Sequence, residues 1–94
     1  MSKETIRASI RSKRAEVAGI RSEIAALRSK KRETSARYSA NIKNASSTAT
    51  KNSYRNQKAT AIAYIEGVIR TKQSRIASIQ RDIASLTERL KYTN

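Results

Sequence analysis

The sequence predicts an all-α protein: an antiparallel helical hairpin that forms a two-helix coiled coil. Three observations lead to this prediction. Two apolar rows have heptad spacing, a polar stretch separates them, and the 94-residue chain contains no proline. A sustained 3.5-residue repeat buries one stripe of a helix against another helix.

The two apolar rows, called here the first and second seams, alternate steps of three and four residues. Their aliphatic members are Ile6, Ile10, Val17, Ile20, Ile24 and Leu27 in the first seam, and Ile62, Ile65, Ile69, Ile76, Ile79, Ile83, Leu86 and Leu90 in the second. Three lysines, Lys13, Lys31 and Lys72, occupy further positions of the same rows. These lysines either extend their ammonium groups to solvent or fix register and partner choice, as polar core residues do in coiled coils.

The first helix is expected over about residues 3–43, with Ser2 as its N-cap and Glu4 favourably placed in its first turn. A polar turn is expected over about 44–54, because Ser, Thr and Asn side chains compete with the helical backbone for hydrogen bonds. The second helix follows over about 55–92.

The whole chain, 1–94, is therefore expected to form one hairpin domain. Residues whose numbers sum to about 100 lie side by side in it, such as Val17 and Ile83. One continuous helix is the alternative, because the seven-residue phase is unbroken through the middle of the chain. The middle of that row reads Thr34, Asn41, Thr48 and Arg55. These residues offer a partner little to bury, which favours the hairpin.

Composition argues against catalysis. His, Cys, Phe and Trp are all absent, so the usual nucleophiles, general bases and soft metal ligands are missing together. The seven acidic residues are dispersed among 21 Lys and Arg, and the net charge is +14. The sequence predicts a non-enzyme without cofactor or metal, whose partner is acidic.

No apolar run is long enough for a signal peptide or a membrane span. The protein is expected to be cytoplasmic, or exported without a cleaved signal. A membrane-surface role is not expected, because the apolar face lacks bulky aromatics and keeps coiled-coil spacing.

An arginine row flanks the first seam, with one arginine every seven residues: Arg7, Arg14, Arg21 and Arg28. In an antiparallel hairpin the facing row is Thr87, Gln80, Gln73 and Glu66, which is mostly neutral. Such a row can bind acidic side chains or phosphates spaced about 10.5 Å apart. The alternative is a solvated flank that keeps the coiled coil soluble.

The central third of the chain is the most cationic part. Its basic residues are Arg28, Lys30, Lys31, Arg32, Arg37, Lys43, Lys51, Arg55 and Lys58, against Glu33 alone, so it carries +8 of the total +14. Tyr38 and Tyr54 are interleaved and could stack on bases. The sequence predicts either a cationic hairpin tip that contacts nucleic-acid phosphates or a merely solvated turn.

Two helices alone bury too little to be more than marginally stable. We therefore expect a helical protein partner or a homo-oligomer, and predict a non-enzymatic coiled-coil adaptor that docks on partner helices. The alternative is a basic structural protein that binds nucleic acid non-specifically, as in virion or nucleoid packaging.

The segments Ile10–Leu27 and Ile62–Leu90, with Ile-Ala-Ser-Ile-Gln-Arg-Asp-Ile-Ala-Ser-Leu at 76–86, resemble small coiled-coil accessory proteins encoded beside LXG toxins of type VII secretion. The resemblance implies a helical hairpin that pairs with the long helical N-terminal domain of a toxin to form an exportable rod. The Trp-x-Gly turn of the related WXG hairpins is absent, as is a Tyr followed four residues later by an acid.

Overall fold

The computed structural model describes residues 2–93, which form two long α-helices. Helix α1 spans Lys3–Asn44 and helix α2 spans Thr48–Lys91. Only residues 45–47 connect them, a length typical of antiparallel helix pairs. The predicted all-α helical hairpin is thereby confirmed, and α1 agrees with its predicted span to within one residue.

Both helices begin with the same serine cap. The backbone N–H of Thr5 donates to Ser2 Oγ at 3.1 Å, and the backbone N–H of Thr50 donates to Ser47 Oγ at 3.1 Å. Each cap satisfies one of the amide donors that a helix start leaves without an intrahelical acceptor. The predicted N-cap at Ser2 is confirmed.

The polar turn predicted over 44–54 is too long, because α2 already begins at Thr48. The Ser47 cap starts the helix there. The polar side chains that follow bond to other side chains one turn away: Arg55 donates to Asn52 Oδ1 at 3.0 Å and Gln57 donates to Ser53 Oγ at 3.1 Å. These side chains therefore do not compete with the helical backbone.

The chain divides into two compact units, each made of one segment from each helix. The first unit spans Met1–Glu23 and Thr71–Asn94, of which residues 2–23 and 71–93 are described, and the second spans Ile24–Arg70. By sequence, the first unit holds eleven Lys and Arg against five acids, and the second holds ten against two.

Seam residues form the core of both units. In the first unit Ile6, Ile10, Val17 and Ile79 are buried, and Ile6 and Ile79 are almost completely so, at 0% and 1% exposure. The second unit buries Ile24, Ile65 and Ile69. The remaining seam aliphatics are half-buried: Ile20, Leu27, Ile62, Ile76, Ile83, Leu86 and Leu90.

Thr34 extends the first seam within the second unit. It continues the row after Leu27 and is only 7% exposed, although the sequence predicted little burial there. No buried side-chain nitrogen or oxygen in the described chain lacks a hydrogen-bond partner. A small polar residue therefore packs here without an unsatisfied group.

Candidate partner-binding surfaces

The seams pack within each unit in the predicted antiparallel register. In the first unit Val17 and Ile83 border one groove, and Ile10 and Leu90 border another. Both pairs were expected to lie side by side. The helix-facing sides of the seams are thus occupied by the chain itself, and what remains available is the half-buried edge of each seam.

One flank of the first unit is closed by ion pairs between the helices. Lys13 Nζ lies 3.7 Å from Asp82 Oδ2, and Lys72 Nζ donates to Glu23 Oε2 at 2.7 Å. Between these two pairs, Arg75 Nη2 donates to Glu16 Oε1 at 2.8 Å. Four of these residues stand immediately before a seam residue that begins a three-residue step: Glu16, Glu23, Arg75 and Asp82. They therefore lie on the same side of the seam. We call this side the ion-paired flank.

All three seam lysines end on a carboxylate of the facing helix. Lys13 and Lys72 do so on the ion-paired flank, and in the second unit Lys31 Nζ lies 3.2 Å from Glu66 Oε1. Each lysine is half-buried. A lysine held between a seam and an opposite charge favours one alignment of the helices, so the arrangement supports a role in register rather than free extension into solvent.

The opposite flank of the first unit is cationic and open. We call it the arginine flank and define it as Arg7, Arg14 and Arg21 of α1 with the facing residues of α2, which include Thr87 and Gln80. All three arginines are exposed. Their guanidinium groups make no ion pair or hydrogen bond with any described residue. The predicted neutral facing row is confirmed at Thr87 and Gln80.

Two grooves lie between these arginines. The first, with a volume of about 260 Å³, is lined by Arg7, Ile10, Arg11, Arg14, Thr87 and Leu90. The second, of about 430 Å³, is lined by Arg14, Val17, Ala18, Arg21, Gln80 and Ile83. Along α1, arginine side chains therefore alternate with the apolar floors of the grooves, and Arg14 borders both grooves.

Arg28, the fourth predicted member of the arginine row, belongs to the second unit. The sequence places it opposite Glu66, but Glu66 pairs with Lys31 instead, because the seam lysine reaches this carboxylate at 3.2 Å. Arg28 contributes to a separate groove of about 620 Å³ lined by Arg28, Lys31, Arg32, Ser35, Ala36, Lys58 and Ile62. We call this the cationic groove.

Side-chain hydroxyls hold two cations of the cationic groove in place. Lys58 Nζ donates to Ser39 Oγ at 3.0 Å across the helices, and Arg32 Nη2 donates to Ser29 Oγ at 3.1 Å. Hydroxyls orient these cations without neutralising them. The groove therefore gathers four positive charges, and Glu66, the partner of Lys31, is the single carboxylate bonded to any of them among the described residues.

The other central cations do not line this groove. Lys30, Arg37, Lys43 and Arg55 are exposed and Lys51 is half-buried. The predicted aromatic stacking sites are also partly covered: Arg37 lies over the Tyr38 ring, 5.5 Å from its centroid, and both Tyr38 and Tyr54 are half-buried.

The cross-helix ion pairs were not predicted from the sequence, although the sequence contains a signal for them. Glu16 and Glu23 are seven residues apart, as are Arg75 and Asp82, and all four precede a seam position. In an antiparallel pair these rows face each other. Together with the pair of Lys91 and Glu88 within α2, the ion pairs among residues 2–93 engage five of the seven carboxylates: Glu16, Glu23, Glu66, Asp82 and Glu88.

The described residues form no group of three or more acidic, His or Cys side chains arranged to hold a metal ion. In the same part of the chain, neither helix has a stretch apolar enough to cross a bilayer.

No protein-family model, curated protein or solved structure matches this chain.

Proposed function

We propose that the protein is a non-enzymatic coiled-coil adaptor that docks on the helices of an acidic protein partner. The observation that carries the proposal is the incomplete burial of the seams. Half of their fourteen aliphatic residues are only half-buried by the chain's own helices, including Ile76, Ile83 and Leu86. A further helix laid along a seam edge would complete their burial.

The accessible surface supports the same conclusion. The chain exposes 6636 Å², whereas a compact monomer of its mass is expected to expose about 5,400 Å². The difference is on the order of 1,000 Å², close to the roughly 800 Å² that each partner contributes to a protein–protein interface of standard size. A two-helix chain exposes more than a compact domain because each helix has one neighbour, and a further helix would cover an area of this order.

Charge favours an acidic partner over a second copy of this chain. Five of the seven carboxylates already pair internally, so a second copy would bring mainly positive charge to the contact. Like-charge contacts at an interface oppose association. A homo-oligomer therefore remains the less favoured arrangement.

The resemblance to accessory proteins of LXG toxins suggests a more specific role, as a factor that accompanies a toxin to type VII secretion. The resemblance does not account for the strong positive charge, which independently favours an acidic partner. Location in the cytoplasm, or export without a cleaved signal, is the corresponding prediction.

The test is the dependence of folding on concentration. We expect the isolated chain to be only marginally stable, with a helix content and a melting temperature that stay low between about 1 and 100 μM, because copies of this cationic chain repel one another and leave the seam edges uncovered. Circular dichroism measures the helix content and the melting temperature, and light scattering behind size-exclusion chromatography measures whether the chain is a monomer. A fully helical, stable monomer over the whole range would overturn the proposal.

A second candidate function, non-specific nucleic-acid binding, is favoured by the cationic groove of the second unit. Four cations there surround an open cleft, and hydroxyls hold two of them in place. This function predicts uptake of any short DNA duplex at about 100 mM salt, and release as salt rises. Replacing Arg28, Arg32 and Lys58 by Gln should then weaken binding, and an unchanged gel shift would exclude the groove.

A further inference from the structure

We infer that the arginine flank is a docking site for one acidic helix, whose carboxylates and apolar side chains both recur every seven residues. This inference rests on the proposed adaptor function and specifies the partner's chemistry. It combines two features of the first unit, the unpaired arginines and the apolar grooves between them.

The spacing of the flank selects a helix. Arg7, Arg14 and Arg21 follow one another at seven-residue steps on α1, and each step corresponds to about 10.5 Å along a helix axis. A partner helix repeats its own side chains at the same interval. Its carboxylates can therefore meet all three guanidinium groups at once, and guanidinium binds carboxylate with two parallel hydrogen bonds.

The grooves require apolar side chains at the same seven-residue interval. One floor contains Ile10 and Leu90 and the other contains Val17 and Ile83. Their volumes of about 260 and 430 Å³ exceed the roughly 150 Å³ that holds benzene in an engineered apolar cavity. A Leu every seven residues would fill one groove after the other, between the arginine contacts.

The ion-paired flank provides the contrast within the same unit. There Lys13, Arg75 and Lys72 are already bonded to carboxylates of this chain. An external acid would have to displace those partners. The two flanks thus differ in available charge, which orients the partner on one side of the seam.

The experiment uses the full chain and two synthetic peptides of identical composition. In the matched peptide Leu recurs every seven residues and Glu lies three places after each Leu, on the same helix face. In the shuffled peptide Glu lies two places after each Leu, on the opposite face. We expect the matched peptide to bind at least about tenfold more tightly at about 100 mM salt, as measured by fluorescence anisotropy, because three ion pairs form only in register.

Two charge-matched variants locate the site. Arg7, Arg14 and Arg21 changed together to Gln should lose about tenfold in affinity for the matched peptide. The second variant removes an equal number of charges from exposed positions of the first unit, by changing Lys3, Arg81 and Arg89 to Gln. Its affinity for the matched peptide should fall by at most about threefold. Gln is a good helix former, and circular dichroism verifies that both variants remain helical.

The outcomes separate this inference from the function on which it rests. Tighter binding of the matched peptide, lost in the arginine variant alone, supports the inference. Equal binding of the two peptides overturns the inference and leaves the adaptor function standing. Failure of both peptides, with uptake of a short DNA duplex by the same protein, overturns both.

Discussion

Gly19 lies in the middle of α1, where a glycine lowers helix stability. A Cβ atom built at this position meets nothing within 4 Å. Glycine in a helix interior costs about 0.5–1 kcal/mol relative to alanine. We therefore expect Gly19→Ala to raise the free energy of unfolding by about that amount, measured by urea titration with circular dichroism.

Gly67 in α2 provides the control. A Cβ there lies 3.9 Å from Arg70 Nη2, an ordinary contact with a flexible side chain, so Gly67→Ala should give a similar gain. If only Gly19→Ala lowered stability, another helix would have to approach Gly19 closely in solution, and the prediction would be wrong.

The ion pair between Lys72 and Glu23 should contribute to register. Glu23→Lys places two ammonium groups where the present contact is 2.7 Å, so we expect a loss of about 1 kcal/mol in the free energy of unfolding. Adding Lys72→Glu restores opposite charges in swapped positions and should recover most of the loss. Thermal unfolding of the four proteins of the cycle measures the coupling.

The pair of Lys91 and Glu88 is the matched control, because it lies within α2 rather than between helices, at 3.2 Å. The same swap there should change stability by at most about 0.5 kcal/mol. Strictly additive effects at Glu23 and Lys72 would contradict the role assigned to the seam lysines.

At the scale of the elements, the start of α2 depends on Ser47. Its hydroxyl accepts from the Thr50 amide at 3.1 Å and also bonds to the Thr50 hydroxyl at 2.9 Å. We expect Ser47→Ala to lower the free energy of unfolding by about 1 kcal/mol and to expose the amide of Thr50, which hydrogen exchange would detect. Ser46→Ala, one residue earlier in the connection, should have little effect.

The long elements could be predicted because their signal repeats many times. Eight aliphatic positions define the second seam, so one Thr or Lys in a row does not obscure the phase. The start of α2 could not be predicted in the same way. Ser47 is one polar residue among several, and only the structure shows that its hydroxyl caps the helix while the next polar side chains bond to one another.

The candidate surfaces were predicted in part. The arginine row and its neutral facing residues follow from seven-residue spacing, whereas the grooves between arginines depend on how far Ile83 and Leu90 are covered. Spacing alone also does not decide which cation takes a carboxylate. It placed Glu66 opposite Arg28, but Lys31, a seam residue three positions further along α1, binds it.

At the scale of the whole molecule, repulsion among cations should limit stability. The chain has 21 Lys and Arg, and only five carboxylates are engaged in ion pairs within residues 2–93. Salt screens both attraction and repulsion, but the repulsive pairs are more numerous. Raising NaCl from about 20 to 300 mM should therefore increase the melting temperature by several degrees.

A variant with lower charge tests the cause. Lys30 and Arg81 are exposed, lie away from the helix ends and bond to no described residue, so Lys30→Gln with Arg81→Gln removes repulsion without removing a contact. Its melting temperature should be higher at low salt and should depend less on NaCl. A melting temperature that fell with salt in both proteins would show that the ion pairs dominate.

The three-residue connection has a consequence for the order of folding. The two segments of the second unit are joined through residues 45–47, whereas those of the first unit, which end at Glu23 and begin at Thr71, are separated by the 47 residues 24–70. Closing the longer loop costs about 2 kcal/mol more chain entropy. The helix pair nearest the connection should therefore form first and open last. Both chain termini join late, and a partner that arrives early would meet the first unit while its arginines still belong to a single unpaired helix.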